Sequence, residues 1–425
     1  MNYGLILRYT EPLADRLFLG FKSTKRNNKN TGIGNYFDLD PNNPSNRSLN
    51  TLLSNHFIKD YNYDLLGSDL RFVGKVLNIS CGVSYQHASL KTNNVSDSDE
   101  LSKNFNYFLP TINIEYKIAT STNLMFTYRT NILEPSLSQL QPKVTNTDPV
   151  NLYQGNPNLK SEYIHEGNIH FLLFDQFTFT SLFANLNTKY TLNKIVNETN
   201  VDEIFRQTIM PINTKNNFNT NAYFSFSTPL KFIKSKVSFD VIANYNQGIL
   251  FVDDMKNNTY RWTNNYTVTL ENRKKEMFDL AVGLSLGTSD IKYSGNGEFD
   301  QNYFDQTYFT DLSLSLPKNW TFNSSLDYTH YSAESFGSQD ELFIWQGGIS
   351  KRFSSKELWT IELNVYDILN QNQGIDRSNN LNYIQESRTN VLGRYFMLGM
   401  KYKLSNFSGN EGMQIEMKER RGPKH

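Results

Sequence analysis

Six histidines, His56, His87, His165, His170, His330 and His425, are the first side chains to test for acid–base or metal chemistry, because imidazole titrates near neutrality and ligates transition metals. They show no metal-binding spacing, and on a strand His165 and His170 point to opposite faces. Asp38-Leu39-Asp40-Pro41-Asn42 has the opening of a calcium loop, but Asn43 replaces the required glycine and Leu49 stands where the closing glutamate belongs. A polar hairpin loop is the better reading. Cys81, the single cysteine, has no partner for a disulfide or a thiolate site. No glycine-rich phosphate loop, nucleophile elbow or Ser/His/Asp arrangement stands out, so no catalytic residue, metal or cofactor is assigned.

Composition points elsewhere. Among 425 residues, 42 basic and 42 acidic side chains cancel to a formal charge of zero, which leaves no global field to draw in nucleic acid. Mean hydropathy is -0.55 and 38% of the chain is hydrophobic, and no run reaches the roughly 18 apolar residues of a membrane helix. Yet 25 Tyr and 30 Phe are present, a bias toward strands. Such a chain fits a soluble all-β protein, or a transmembrane barrel with a wet interior and one apolar face per strand.

Alternation favours the barrel. A strand sends successive side chains to opposite faces, so a lipid-facing wall strand is apolar at every second position. Trp320, Phe322, Ser324, Leu326 and Tyr328 share one face, opposite Thr321, Asn323, Ser325, Asp327 and Thr329. Phe278, Leu280, Val282, Leu284 and Leu286 line up against Asp279, Ala281, Gly283, Ser285 and Gly287. Leu312, Leu314 and Leu316 repeat the pattern, as do Phe396, Leu398, Met400, Tyr402 and Leu404, whose opposite row includes Lys401 and Lys403. Carried along the chain, the pattern predicts roughly sixteen strands of about eight to fourteen residues. Short turns are expected at 119–123, 175–176, 272–275, 317–319 and 354–357. Long polar links are expected at 92–103, 131–161, 248–259, 290–302, 332–340 and 370–381. That segregation is the outer-membrane arrangement, with short turns periplasmic.

The opening Met1 to Tyr9 has no basic start, long apolar run or cleavage site and reads as a strand, as if the chain began inside a domain. Residues 1–407 are expected to form the barrel, and 408–425 a polar basic tail.

Two blocks carry a family resemblance. The first holds Tyr128-Arg129, Pro135, Leu137, Gln139-Leu140 and Pro142, then Gly155-Asn156-Pro157, Leu159, Glu162, Glu166 and Gly167. The second holds Asn364-Val365-Tyr366-Asp367-Ile368-Leu369-Asn370-Gln371, followed by Arg394-Tyr395-Phe396. Both resemble the C-terminal barrel of TonB-dependent receptors, in the outer membrane β-barrel form common in Bacteroidetes-like bacteria. Ser161 stands where relatives have proline, and Asp367 where many have asparagine. Gly155-Asn156-Pro157 is turn chemistry, so the motif residues are read as structural.

The resemblance implies an all-β, antiparallel up-and-down transmembrane barrel of which part is visible, in a receptor that takes up a scarce nutrient. It implies outer-membrane lipid, the barrel-assembly machinery and, in a full-length relative, the TonB complex and a surface lipoprotein as partners. A plug and energy-coupling box belong to the family and neither is visible here, so a partial gene product is the expectation. Tyr153, Asp253, Asp254 and Phe336 are candidate loop contacts for the nutrient. The alternatives are an outer-membrane barrel protease or phospholipase, and a soluble β-rich binding or adhesive protein.

Overall fold

The computed structural model describes residues 2–403, apart from 41–42, 52–53, 96–98, 146–147, 149, 253–254, 275–276, 296–299, 333–340, 354–357, 373–374, 380–383 and 391. The tail, Asp253, Asp254, Phe336 and the turn at 354–357 therefore lie outside the described residues.

One 21-stranded sheet dominates, and 17 of its strands follow one another as an antiparallel wall. The wall opens with β1 (Asn2–Ala14), β2 (Leu17–Gly34), β3 (Asn55–Val73), β4 (Leu77–Asn94), β5 (Asp99–Ala119) and β6 (Thr122–Leu133). It continues through β7 (Glu162–Asp175), β8 (Thr180–Leu192), β9 (Asn216–Leu230), β10 (Ser235–Val252), β11 (Met255–Asn272) and β12 (Phe278–Tyr293). It ends with β13 (Gln301–Leu316), β14 (Trp320–Tyr331), β15 (Glu341–Phe353), β16 (Trp359–Tyr366) and β17 (Tyr395–Tyr402). Each strand pairs with the next, and among the described residues no ladder joins β1 to β17. The sheet is an up-and-down wall that does not close on itself.

Register turns local alternation into two continuous surfaces. Directly opposed residues on antiparallel strands share a face, so the pairs Val268↔Leu284, Leu284↔Tyr308, Tyr308↔Tyr328 and Tyr328↔Phe343 draw one apolar row across five strands. The neighbouring pairs Thr267↔Ser285, Ser285↔Thr307 and Thr307↔Thr329 draw a polar row on the other face. Hydroxyls bridge that row, 3.1 Å between Thr267 and Ser285 and 3.0 Å between Thr307 and Thr329. The apolar face is open, with Leu66 62% exposed, Phe108 67% and Leu398 75%. In water so continuous a patch is an aggregation hazard, whereas against hydrocarbon it is the stable arrangement. Among the described residues no helix is long and apolar enough to cross a membrane, which leaves crossing by strands untouched.

The short turns all return at one end, at 15–16, 74–76, 120–121, 176–179, 231–234, 273–277 and 317–319. Three of these, at 15–16, 74–76 and 231–234, escaped the sequence reading. At the other end the long polar links at 92–103 and 248–259 prove to be mostly strand, since β4 runs to Asn94 and β5 starts at Asp99, while β10 runs to Val252 and β11 starts at Met255. Beyond the bilayer a hairpin has no apolar face to keep, so alternation fades while the ladder persists. A tilted strand climbs about 2.5 Å along the membrane normal per residue, so about ten residues cross an apolar band of roughly 25 Å. β3, β4 and β10, of 19, 18 and 18 residues, therefore project well past the membrane at the long-loop end.

Candidate functional site at the long-loop end

The side chains that come together at this end do so because one loop folds back onto the polar face of the wall. After β6 the chain passes Pro135 and forms a single helical turn, α1 (Leu137–Leu140). Ser136 caps it: the Ser136 hydroxyl accepts the Gln139 N–H at 3.2 Å, and the Gln139 side chain accepts the Ser136 N–H at 2.9 Å. This reciprocal cap holds so short a turn together and aims Leu140 at the wall. Leu140, fully buried, and Leu159 pack against Phe57 and Tyr61 of β3 and Ala88 and Leu90 of β4. Burying two leucines contributes about 1.5–3 kcal/mol each before the entropy of ordering the loop is counted.

Gly155 allows the closest approach. A Cβ there would lie 2.3 Å from the Gln141 carbonyl and 2.6 Å from that of Ser138, so only glycine lets the returning strand pass α1. Asn156 then ties the turn together. Its N–H donates to the Gln139 carbonyl at 2.7 Å, its amide to the Pro211 carbonyl at 3.1 Å, and its Oδ1 accepts the Asn158 N–H at 2.9 Å. The Pro157 carbonyl accepts from Lys103 Nζ at 2.9 Å, and the Pro142 carbonyl from Gln154 Nε2 at 3.2 Å.

Charge is buried in the same place. Lys59, 2% exposed, lies between Phe57 and Tyr61 on the polar face of β3, about fifteen positions from the turn at Gly74 and so clear of the bilayer. Its Nζ donates to the Pro135 carbonyl at 2.6 Å and sits 3.8 Å from Glu134 Oε1. Burial lowers its pKa, and the Glu134 carboxylate partly offsets the shift. Glu162, 3% exposed, accepts from Lys194 Nζ at 2.9 Å and from the Ile195 N–H at 2.8 Å, fixing the start of the next long loop. Arg129 pairs with Glu166 at 2.5 Å across β6 and β7, and Gly167 makes room for the Thr188 hydroxyl, which donates to its carbonyl at 3.3 Å.

The two long loops form one layer. Val144–Thr145 pairs with Asn151–Gln154, which pairs parallel to Gln207–Asn213, which pairs with Ile195–Val201, which touches β10 in parallel. Tyr153, half-buried within this layer, has its hydroxyl pKa raised by burial. On the layer's exposed margin Asp148 is held below the usual carboxylate range by the Asn151 amide and the Val150 N–H.

The second motif block occupies the wall's other end. Asn364 shares the polar face with Gly348 and Met397. Asp367 adopts φ 47° and its carboxylate accepts the N–H groups of Gln371 and Asn372 at 3.0 Å each. Asn370, at φ 56°, accepts the Arg394 N–H at 2.8 Å, and Arg394 Nη1 donates to the Ile368 carbonyl at 3.3 Å. Leu369 is exposed, and Tyr395 stacks on Tyr366 with ring centroids 4.6 Å apart. Asp367 thus does the work of an asparagine in such a turn, accepting two N–H bonds while tolerating the left-handed region.

Pro135, Leu140, Gly155, Asn156, Pro157, Leu159 and Glu162 converge on one packed assembly, whereas Arg129 and Gly167 sit in the wall beneath it and the second block is separate in the sheet. Sequence reading missed Lys59, Lys103 and Lys194. Phe57-x-Lys59-x-Tyr61, a lysine inside an aromatic row, was the available signal. His165 lies among Tyr128, Tyr163 and Tyr190 on one face while His170 meets Phe183 on the other, and among the described residues no three metal-binding side chains gather. The Asp38 region is a hairpin, with Phe37–Asp40 pairing to Asn43–Leu49.

A polar-faced, lipid-walled antiparallel sheet with short turns at one end and a folded loop layer at the other defines an outer-membrane β-barrel protein. The chain belongs to the Outer membrane protein beta-barrel family, whose pattern matches residues 2–280 and 271–402. Its place is the bacterial outer membrane. Among curated proteins none matches the sequence. Of solved structures, it is similar to the copper transporter OprC at 11% identity and a TM-score of 0.46, covering 94% of this chain and 65% of that one. It is similar to the siderophore receptor PirA from Pseudomonas aeruginosa at 11% identity and 0.36, covering 94% and 70%. It is also similar to the outer membrane transporter YddB from Escherichia coli at 10% and 0.28, covering 94% and 75%. The chain thus spans just under two thirds of the length of OprC.

Proposed function

We propose that this chain is the wall of a TonB-dependent receptor that takes up a scarce nutrient, with the loop layer at the long-loop end forming the mouth where the nutrient is first held. The observation that supports the reading is the docked loop: a layer folded onto the polar wall face and pinned through Lys59, Gly155 and Glu162 gives that end an ordered surface, which a passive filler of lipid would not need. Of the loop residues expected to touch the nutrient, Tyr153 is the one among the described residues, half-buried in this layer, and the reading assigns it that contact. Among the described residues no ladder joins β1 to β17, which supports a larger barrel, and the reading assigns the remaining strands, plug and energy-coupling segment to a longer protein. Barrel-assembly machinery and, in the longer protein, the TonB complex are the partners this reading requires, and a surface lipoprotein is one it admits.

The test is uptake. Disrupting the gene should abolish growth on, and protonophore-sensitive accumulation of, one limiting nutrient among iron chelates, cobalamin, copper, oligosaccharides and peptides. Unchanged accumulation of all of them would end the proposal. Reading the messenger RNA upstream of the Met1 codon should reveal an in-frame plug, and a stop codon with no plug behind it would remove the energy-coupled part of the reading.

A further inference from the structure

The short-turn end carries a cationic cavity. Between β9 and β10 the chain makes a single 3₁₀ turn, Lys231–Ile233, and leaves it through Lys234 at φ 52°. The Lys234 N–H donates to the Lys231 carbonyl at 3.3 Å, and the N–H of Arg273, first residue of the next turn, donates to the Lys234 carbonyl at 3.1 Å. These bonds stitch two turns together. Between them lies an open cavity of about 300 Å³, and the described residues lining it, Lys231, Lys234, Arg273 and Lys274, are all cationic.

Lys231, Lys234 and Arg273 border one volume, and an anion between like charges so placed relieves their repulsion. The nearby carboxylate of Glu271 is already held by Lys236 at 2.6 Å. The surroundings name the kind of anion. Arg273 lies 5.8 Å over the ring of Phe179 from the neighbouring turn at 176–179, which also carries Phe177 at 85% exposure, while the turn at 231–234 carries Phe232 at 83%. Phenylalanines so bare are out of place in water but at home where headgroups meet acyl chains. Lys234 and Phe179 both occupy the left-handed region, φ 52° and 56°, where glycine or asparagine would be less strained.

We propose that this cavity binds the phosphodiester headgroup of an anionic phospholipid from the inner leaflet, with Lys231, Lys234 and Arg273 around the phosphate and the exposed phenylalanines beside the acyl chains. The proposal rests on the outer-membrane setting alone and not on any transported nutrient. Its test is binding of dihexanoyl phosphatidylglycerol to the full protein in neutral detergent, by titration calorimetry, beside dihexanoyl phosphatidylcholine and inorganic phosphate. Phosphatidylglycerol should bind at least tenfold more tightly than either. Each lost cation should weaken it about fivefold, so that the pair Lys231→Gln with Lys234→Gln weakens it about 25-fold. Lys234→Gly, which suits the left-handed backbone and so keeps the turn, should lose about fivefold, whereas Lys318→Gln on a distant turn should change nothing. Equal affinity for the two lipids, equal affinity for free phosphate, or unchanged binding in the folded Lys234→Gly protein would each overturn the assignment.

Discussion

Lys59 on β3 donates to the carbonyl of Pro135 at 2.6 Å, joining wall and loop across 76 residues of sequence. Removing the donor leaves a buried carbonyl without its partner and Glu134 without its counter-ion. Lys59→Met, which keeps most of the packing volume, should loosen loop docking by about 1–3 kcal/mol. Hydrogen exchange of 134–161 in detergent should speed accordingly, and exchange as slow as in the parent protein would refute the link.

The same lysine makes loop docking depend on pH. Its folded pKa is lowered from 10.5, chiefly by burial, so the docked state binds fewer protons than the undocked state between the two values. The penalty for holding a buried cation is fully present below the folded pKa and disappears as pH rises through the undocked value. Loop protection in the parent protein should therefore increase as pH climbs toward 10.5, while Lys59→Met should lack this component. Protection falling over that window, relative to Lys59→Met, would contradict the assigned direction.

Glu162 is the second anchor. Lys194 is about one third exposed, so replacing the carboxylate forfeits an ion pair softened by solvent, but the Ile195 N–H keeps an acceptor in glutamine. Glu162→Gln should cost about 1 kcal/mol and Glu162→Ala about 1–2 kcal/mol, because alanine leaves the part-buried N–H unpaired. Limited proteolysis within 193–215 should rank the variants in that order. Equal cleavage of all three proteins would show that this contact does not hold the loop.

The wall was readable from the chain because lipid imposes a period of two, and β12 to β14 and β17 keep it over most of their length, with breaks such as Ser324 in the apolar row. Legibility stopped where lipid stopped. Around 92–103 and 248–259 both faces are wet, so Thr92, Asn93, Asn257 and Asn258 looked like loop although the ladder continues through them. Gly155-Asn156-Pro157 announced a turn through local chemistry. Lys59 stood out only as a lysine inside an aromatic row, and spacing within β3 says nothing of its burial, which is created by a loop far along the chain. Lys231, Lys234 and Arg273 come together only because β9, β10 and β11 bring consecutive turns side by side.

Gly155 tests how closely the loop must pass α1. An alanine Cβ would meet two backbone carbonyls, which cannot rotate away as side-chain ends can. Gly155→Ala should therefore destabilise the docked loop by about 1–3 kcal/mol or more, despite adding one methyl group. Exchange of the Asn156 N–H, now bonded to Gln139, is the sensitive probe, and full retention of its protection would mean that the loop gives way more easily than the backbone contacts indicate.

The two faces of the wall differ most cleanly at adjacent residues. Leu284 lies in the apolar row opposite Val268 and Tyr308, and Ser285 in the polar row between Gly283 and Gly287. Seven positions from the turn at Met277, Leu284 is near mid-membrane, where a lysine facing hydrocarbon costs about 2–4 kcal/mol. A lysine at 285 instead reaches an aqueous interior past two glycines, and should cost under about 1 kcal/mol through the lost Thr267 hydroxyl bond. Urea unfolding from lipid vesicles, followed by tryptophan emission, should therefore show Leu284→Lys far less stable than Ser285→Lys. If the two variants unfold together, or the order is reversed, the apolar row does not face lipid, and the membrane orientation of the whole wall is wrong.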